Sequence, residues 1–546
     1  MKPALLLALL ALAGAARARA DGDDFKYYYE EIYAPFFEPI PGRPGWLRSA
    51  RRGANPSEFE AEKPAGVFRV FIIGGSTAGG YTGAGALQLG LERALPGRRV
   101  EVINCGMSGY DSDRERLVLE QAARYQPDAV VTISGHNDFG IHRPPLPAWQ
   151  RFLARSPVFE RLRALLGVEA PQGEQMTPAL RVQNLERLLR NLDAHVDTIE
   201  RAGARAVVCA PPVDYEELAP QDGVPPWGDA AFSEGWAAFA KGQNARAEAA
   251  WLGRLRASPE PDDELAGALW HAIGRARERL GRRGEALDAY RRALDSTAGM
   301  DVCGPACLDA ERALARRRGA VLADADAEFI EASRPRLPGA ELFVDEIHWN
   351  PARHALVTRA IVDALRADPA LSKLGWSRSA LDAAPTPEDE RAHRRGLLFY
   401  AVQRIDFHRN FSQRALEWLE AVDRLEPSWT KSPEALMARA RAVYDEYDNR
   451  RPGGLYRSPL ERRELPRARL LGYWGAMRLE QGRFRDARKA LLEAARLESW
   501  TGDFILLEGA ADALDRRLDD ARRAFARVDE RPEARGLALA LGVTPK

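Results

Sequence analysis

Ser76 has the setting of a nucleophile. It follows the mostly apolar run Arg69-Val70-Phe71-Ile72-Ile73 and stands inside Gly74-Gly75-Ser76-Thr77-Ala78-Gly79-Gly80. A run so short and so rich in β-branched residues predicts a buried parallel strand. The serine then falls at a strand's carboxyl end, where open α/β sheets place their chemistry. Two chemistries suit it. A nucleophilic serine needs a base, a carboxylate that orients the base, and donors for an oxyanion. A phosphate-cradling loop needs Gly-Lys-Ser/Thr, which does not follow. A turn with no chemistry is the third alternative.

Three further stretches supply the missing parts, each after a predicted strand. Asn104-Cys105-Gly106-Met107-Ser108-Gly109-Tyr110 follows the second strand, and Gly106 there can offer an unobstructed backbone N–H. Ser134-Gly135-His136-Asn137-Asp138 follows the third. The Asn137 amide can donate toward the same point as the N–H groups of Ser76 and Gly106. Val344-Asp345-Glu346-Ile347-His348-Trp349-Asn350-Pro351 follows the fifth. An aspartate three residues before a histidine can bond its imidazole and fix the tautomer, leaving the other nitrogen for the nucleophile. Plainer roles stand beside these. His348 can cap the helix that starts at Asn350-Pro351, and Asn137 can stabilise its own turn. Asp138 reads as a brace for that loop and Trp149 as packing, while His136 and His142 have no assigned role.

Together the four stretches resemble the SGNH (GDSL-like) hydrolase family. Its blocks carry a serine, a glycine, Gly-x-Asn-Asp and Asp-x-x-His. Gly74-Gly75-Ser76-Thr77, Gly106, Gly135-His136-Asn137-Asp138 and Asp345-Glu346-Ile347-His348 match them in order. The resemblance implies a catalytic triad of Ser76 as nucleophile, His348 as base and Asp345 as orienter. It implies an oxyanion hole of Ser76 N–H, Gly106 N–H and the Asn137 side chain, with no cofactor and no metal. The fold it implies is a flavodoxin-like three-layer α/β/α sandwich. It covers about residues 65–215 and 318–370. The commonest first block has Asp before the serine and this chain has Gly75, which looks like a Gly-Gly-Ser-Thr subgroup. The expected activity is an ester hydrolase forming an acyl-serine. An O-acyltransferase using the same triad and a catalytically idle interaction scaffold are the alternatives.

The surrounding pattern positions these blocks. Val67–Ile73, Val100–Asn104, Asp128–Ile133, Ala206–Cys209 and Ala320–Ala323 read as strands. Helices are expected over Gly85–Ala94, Ser112–Tyr125, Gln183–Arg201 and Pro351–Leu365. Such alternation means a parallel sheet covered on both faces. From 226 to 318 the pattern is helical alone, and Trp270, Gly274, Gly281, Ala286, Tyr290 and Ala293 have the spacing of a tetratricopeptide repeat. A weaker copy has Gly235, Gly242, Ala247, Trp251 and Pro259. After 385 the chain reads as helical to its end. Gly475, Gly482, Ala487, Leu491 and Ala494 are echoed 34 residues later by Gly509, Ala521 and Phe525. Ala415, Leu419, Val422 and Pro427 form an earlier copy.

The expected organisation is therefore a signal peptide over 1–20, an aromatic extension over 21–66, and an α/β domain in two parts, 67–225 and 319–375. A tetratricopeptide-like insertion over 226–318 divides it, and further repeats over 385–546 follow. Lys2, the Leu/Ala run Ala4–Ala16 and Ala18-Arg19-Ala20 carry the signal-peptide reading. Export to the periplasm or medium follows from it, or a membrane anchor if the peptide is uncleaved. The mature chain then has no stretch to span a bilayer. With 79 basic against 79 acidic residues, charge gives no case for nucleic acid as a partner. The expected partners are an acyl-ester substrate, with an envelope glycan as its carrier, and a protein bound by the repeats. In an exported chain the close pair Cys303/Cys307 can oxidise, whereas Cys105 and Cys209 read as small core residues.

Overall fold

The computed structural model describes residues 31–81, 86–140, 177–216, 226–257, 263–296, 302–377, 387–407, 413–449, 467–497 and 502–544. The expected signal peptide, His142, Trp149 and Pro259 lie outside them. The chain forms two compact units. One comprises Met1–Pro211, Asp301–Ala325 and His354–Ala383; the other comprises Pro212–Met300, Asp326–Arg353 and Ala384–Lys546. Ser76, Gly106 and Asn137 belong to the first unit, and Asp345 and His348 to the second.

The first unit opens with three short strands, β1 (Phe37–Pro39), β2 (Trp46–Ser49) and β3 (Glu58–Glu60), in an antiparallel sheet. Its apolar face is aromatic. Phe37 meets Phe59, Phe71 and Tyr125 edge-on at ring-centroid distances of 5.1, 6.2 and 5.5 Å. The extension is thus fastened to the main sheet through Phe71.

That main sheet has five parallel strands, β4 (Val67–Gly74), β5 (Arg99–Asn104), β6 (Ala129–Ile133), β7 (Arg205–Ala210) and β8 (Val321–Asp324). They lie in the order β5-β4-β6-β7-β8, the doubly wound order of flavodoxin-like folds. The first unit is therefore an α/β sandwich, and the rest of the chain is largely helical. Every residue of β4 and β6 is buried, as strands covered on both faces must be. Arg69 is the exception in chemistry, though not in burial. It pairs with Glu101 across β5 and donates to the carbonyls of Glu60 and Tyr125, so its charge is fully bonded. Because all strands run one way, their carboxyl ends share one edge of the sheet.

The helix Pro305–Arg318, expected within the helical insertion, packs instead against the helix Pro178–Arg201 and against β7 and β8. A Cys303–Cys307 disulfide closes the turn into it, with the Cα atoms 5.4 Å apart. Cys105 and Cys209 are free and buried. The expected helix from Pro351 begins as a 3-10 turn, Pro351–Arg353, before the α-helix His354–Ala367.

The second unit is built largely of antiparallel helix pairs such as Ala230–Ala240 with Asn244–Ala257 and Asp263–Arg279 with Arg283–Ser296. One packing rule recurs in it. A glycine of the first helix faces a large side chain sixteen residues further on: Gly235 with Trp251, Gly274 with Tyr290, Gly475 with Leu491 and Gly509 with Phe525. A side chain at any of these glycines would crowd the partner it faces. Among the described residues no helix is long and apolar enough to cross a membrane.

Candidate functional site

Ser76 begins a five-residue helix, Ser76–Gly80, directly after β4 and the extended N-cap Gly75. It is half-buried, whereas Thr77 and Ala78 behind it are buried. The chain around it is packed backbone to backbone. A Cβ on Gly75 would overlap the Asn137 amide nitrogen and lie 3.0 Å from the Tyr110 carbonyl. A Cβ on Gly106 would overlap Gly79 N and lie 2.6 Å from the Ala78 carbonyl carbon. The structure therefore brings the serine turn, the Gly106 loop and Asn137 together at the ends of β4, β5 and β6. It also explains Gly75, because an aspartate there would displace Asn137.

Asn137 is buried and held. Its Nδ2 donates to Tyr110 O at 2.9 Å, which spends one amide hydrogen and fixes the direction of the second. Gly106 stands differently from expectation. Its N–H donates to Asn104 Oδ1 at 2.8 Å, while Asn104 Nδ2 binds Ala78 O at 2.8 Å. Gly109, three residues on, was not singled out by the sequence. Its φ is +69° and its N–H has no hydrogen-bond partner among the described residues. It adjoins Tyr110, whose carbonyl lies against Gly75 and Asn137. The signal available was a glycine at the second residue after Met107, in a turn that needs positive φ.

Asp138 braces its loop as expected of it, accepting from Ser112 N at 3.1 Å and Ser112 Oγ at 2.6 Å. It is one of several buried acids under this end of the sheet. Burial pushes the Glu115 carboxyl well above the carboxylate range, with the charge of Asp138 adding to it. Burial does the same to Glu311, whose two oxygens have no hydrogen-bond partner among the described residues. His136, without an assigned role in the sequence, accepts at Nδ1 from Cys303 N at 3.3 Å. The disulfide turn thus abuts the Asn137 loop.

The second unit holds the Asp345–His348 loop. Val344 N donates to His348 O at 2.9 Å and Asn350 N to Leu342 O at 2.8 Å, with Phe343 bridged to Trp349. This narrow loop turns Asp345 and His348 toward each other. His348 Nδ1 lies 2.9 and 2.8 Å from the two Asp345 oxygens, and the N–H groups of Ile347 and His348 donate to Asp345 Oδ1 at 3.0 and 2.7 Å. A proton on Nδ1 satisfies the carboxylate and leaves Nε2 as the basic nitrogen. Burial pulls the His348 imidazole down, but the charge and hydrogen bond of Asp345 outweigh it, so its pKa lies above the ordinary value. Its side chain keeps 32% exposure. The capping role falls to Asn350, whose Oδ1 accepts from Ala352 N at 2.9 Å.

No protein-family model matches the chain, and no curated protein does. Solved structures similar to it include an α/β hydrolase enzyme from the metagenome of Lake Arreo, Spain, at 17% identity and a TM-score of 0.28, spanning 54% of this chain and 94% of that one. An acetylxylan esterase from Geobacillus stearothermophilus matches at 15% identity and a TM-score of 0.27, over 54% of this chain and 93% of its own. A further acetyl xylan esterase matches at 13% and 0.28, over 54% and 99%. Likeness at this level carries no functional argument, which rests on the site itself.

Proposed function

We propose that the chain is a serine esterase that cleaves short acyl esters through an acyl-serine intermediate. The observation that carries this reading is the Asp345–His348 pair, with Nδ1 bound to the carboxylate and Nε2 left basic. The reading requires His348 Nε2 to reach Ser76 Oγ. Connectivity supports it, since the chain leaves β8 before this loop and β8 ends on the same sheet edge as β4. His348 takes the Ser76 proton as Oγ attacks the ester carbonyl carbon. The tetrahedral oxyanion is met by Ser76 N–H, the second Asn137 amide hydrogen and the Gly109 N–H. Gly109 takes the place expected of Gly106, whose hydrogen is already committed. His348 returns the proton to the leaving alcohol, and water releases the acid by the same steps in reverse.

On this reading residues 1–20 direct export, the substrate is an O-acylated envelope glycan, and the helix pairs are tetratricopeptide-like repeats that hold a protein partner. The test is turnover of a short-chain p-nitrophenyl ester and of O-acetylated glycans by the purified protein. We expect Ser76→Ala to lose all measurable turnover with an unchanged circular-dichroism spectrum. Full activity in that variant would overturn the assignment.

A further inference from the structure

The second unit carries an open pocket of about 520 Å³, inside the range of small-ligand sites. Five guanidinium groups line it, those of Arg275, Arg279, Arg283, Arg336 and Arg424. They are not equally matched by counter-charge. Arg275 Nη2 lies 3.0 Å from Glu420 and 2.8 Å from Glu480, and Arg336 is paired with Glu216. Arg279 and Arg283 have no carboxylate partner among the described residues. The Arg279 guanidinium lies 3.6 Å from the centroid of the Phe239 ring and donates to that residue's carbonyl at 3.5 Å. Arg283 donates to Arg336 O at 2.7 Å, to Ile330 O and to Ser333 Oγ at 3.4 Å.

We propose that this pocket binds an anionic sugar, its carboxylate or phosphate held by Arg279 and Arg283. A guanidinium bonded to carbonyls and an aromatic face keeps its whole charge, and an oxyanion is the group its planar donors fit. Burial crowds the guanidinium groups of the wall, although Glu216, Glu278, Glu417 and Glu420 also line it. Burial, with Arg334 adding, holds Arg283 below its usual range, and burial with Arg424 pushes Arg336 down to about 10. The sugar body is suggested by the rest of the lining, where the Glu278 and Glu420 carboxylates, bonded to Tyr290 Oη and Arg275, have further lone pairs to accept from hydroxyl groups beside the basic wall. Ser76 is not among the lining residues, so Ser76→Ala should bind as the parent does.

Calorimetric titration of the full chain tests this, with digalacturonate, glucose 6-phosphate and neutral maltose as probes at low and at 0.3 M salt. We expect saturable binding of at least one acidic probe, tenfold or more tighter than maltose and weakened by salt. Arg279 is exposed, so Arg279→Gln should fold and should weaken binding tenfold or more. Arg283→Gln, its fold checked by its melting curve, should do the same. Uronate binding would identify a sugar acid and phosphate binding a phosphosugar. No saturable binding of either acid, or an affinity unchanged in Arg279→Gln, would overturn the proposal.

Discussion

Asp345 takes donors from two backbone N–H groups and one imidazole, and this sets what His348 does with pH. The base must be neutral to accept the serine proton, so kcat/KM falls as pH drops through its pKa. Asp345 holds that pKa above its ordinary value near 6.5. Asp345→Asn removes the charge, so the acid limb of the profile moves to lower pH. The plateau falls as well, by roughly 10⁴ on the precedent of triad carboxylates. A pH–rate profile of both proteins checks the two effects together. An unmoved acid limb would separate His348 from the proton transfer. Asn137 and Gly75 form a second pair at this scale. Asn137→Ala should cost about 10²–10³ in turnover, the worth of one oxyanion donor. Gly75→Ala should cost nearly as much, because its Cβ displaces the same amide. The backbone itself, with φ at −81°, would accept alanine. Parental turnover in Gly75→Ala would mean that Asn137 has room to move without loss.

Among elements, the helix Pro305–Arg318 brings Glu311 against Gly135 and the disulfide turn. A carboxyl whose folded pKa is raised lends stability below its unfolded value, near 4.3, and loses it as pH climbs toward the folded value. Glu311→Gln does not titrate. Its melting temperature should match the parent near pH 4.5 and exceed it at pH 8, with a crossover in neither direction between. Parallel melting curves across that range would show Glu311 ionised in the folded state. The main sheet was legible because β4, β6 and β7 are largely apolar and lie beside Gly or Pro. The Asp345–His348 contact was legible because it is local, three residues apart. The small antiparallel sheet was not, since strands of three or four residues show no alternation to read. Nor was the state of Gly106, because its acceptor is a side chain two residues back and only the turn geometry decides which N–H stays open.

For the whole molecule, the serine block and the histidine loop fall in separate compact units, joined by a chain that leaves the first unit just after β8 and returns to it with the helix His354–Ala367. The helical sequence carries its own charged pocket and its own repeated glycine-to-large packing, neither of which the ester chemistry uses. What the account asks of the whole is that the two parts act on one atom, Ser76 Oγ. The most direct measurement is the rate at which a fluorophosphonate labels the full chain, with the adduct located by mass spectrometry. A single adduct on Ser76, formed in the parent and slowed at least a hundredfold in His348→Ala, is the predicted result. Labelling of Ser76 at the same rate in both proteins, or no adduct on Ser76 at all, would contradict it.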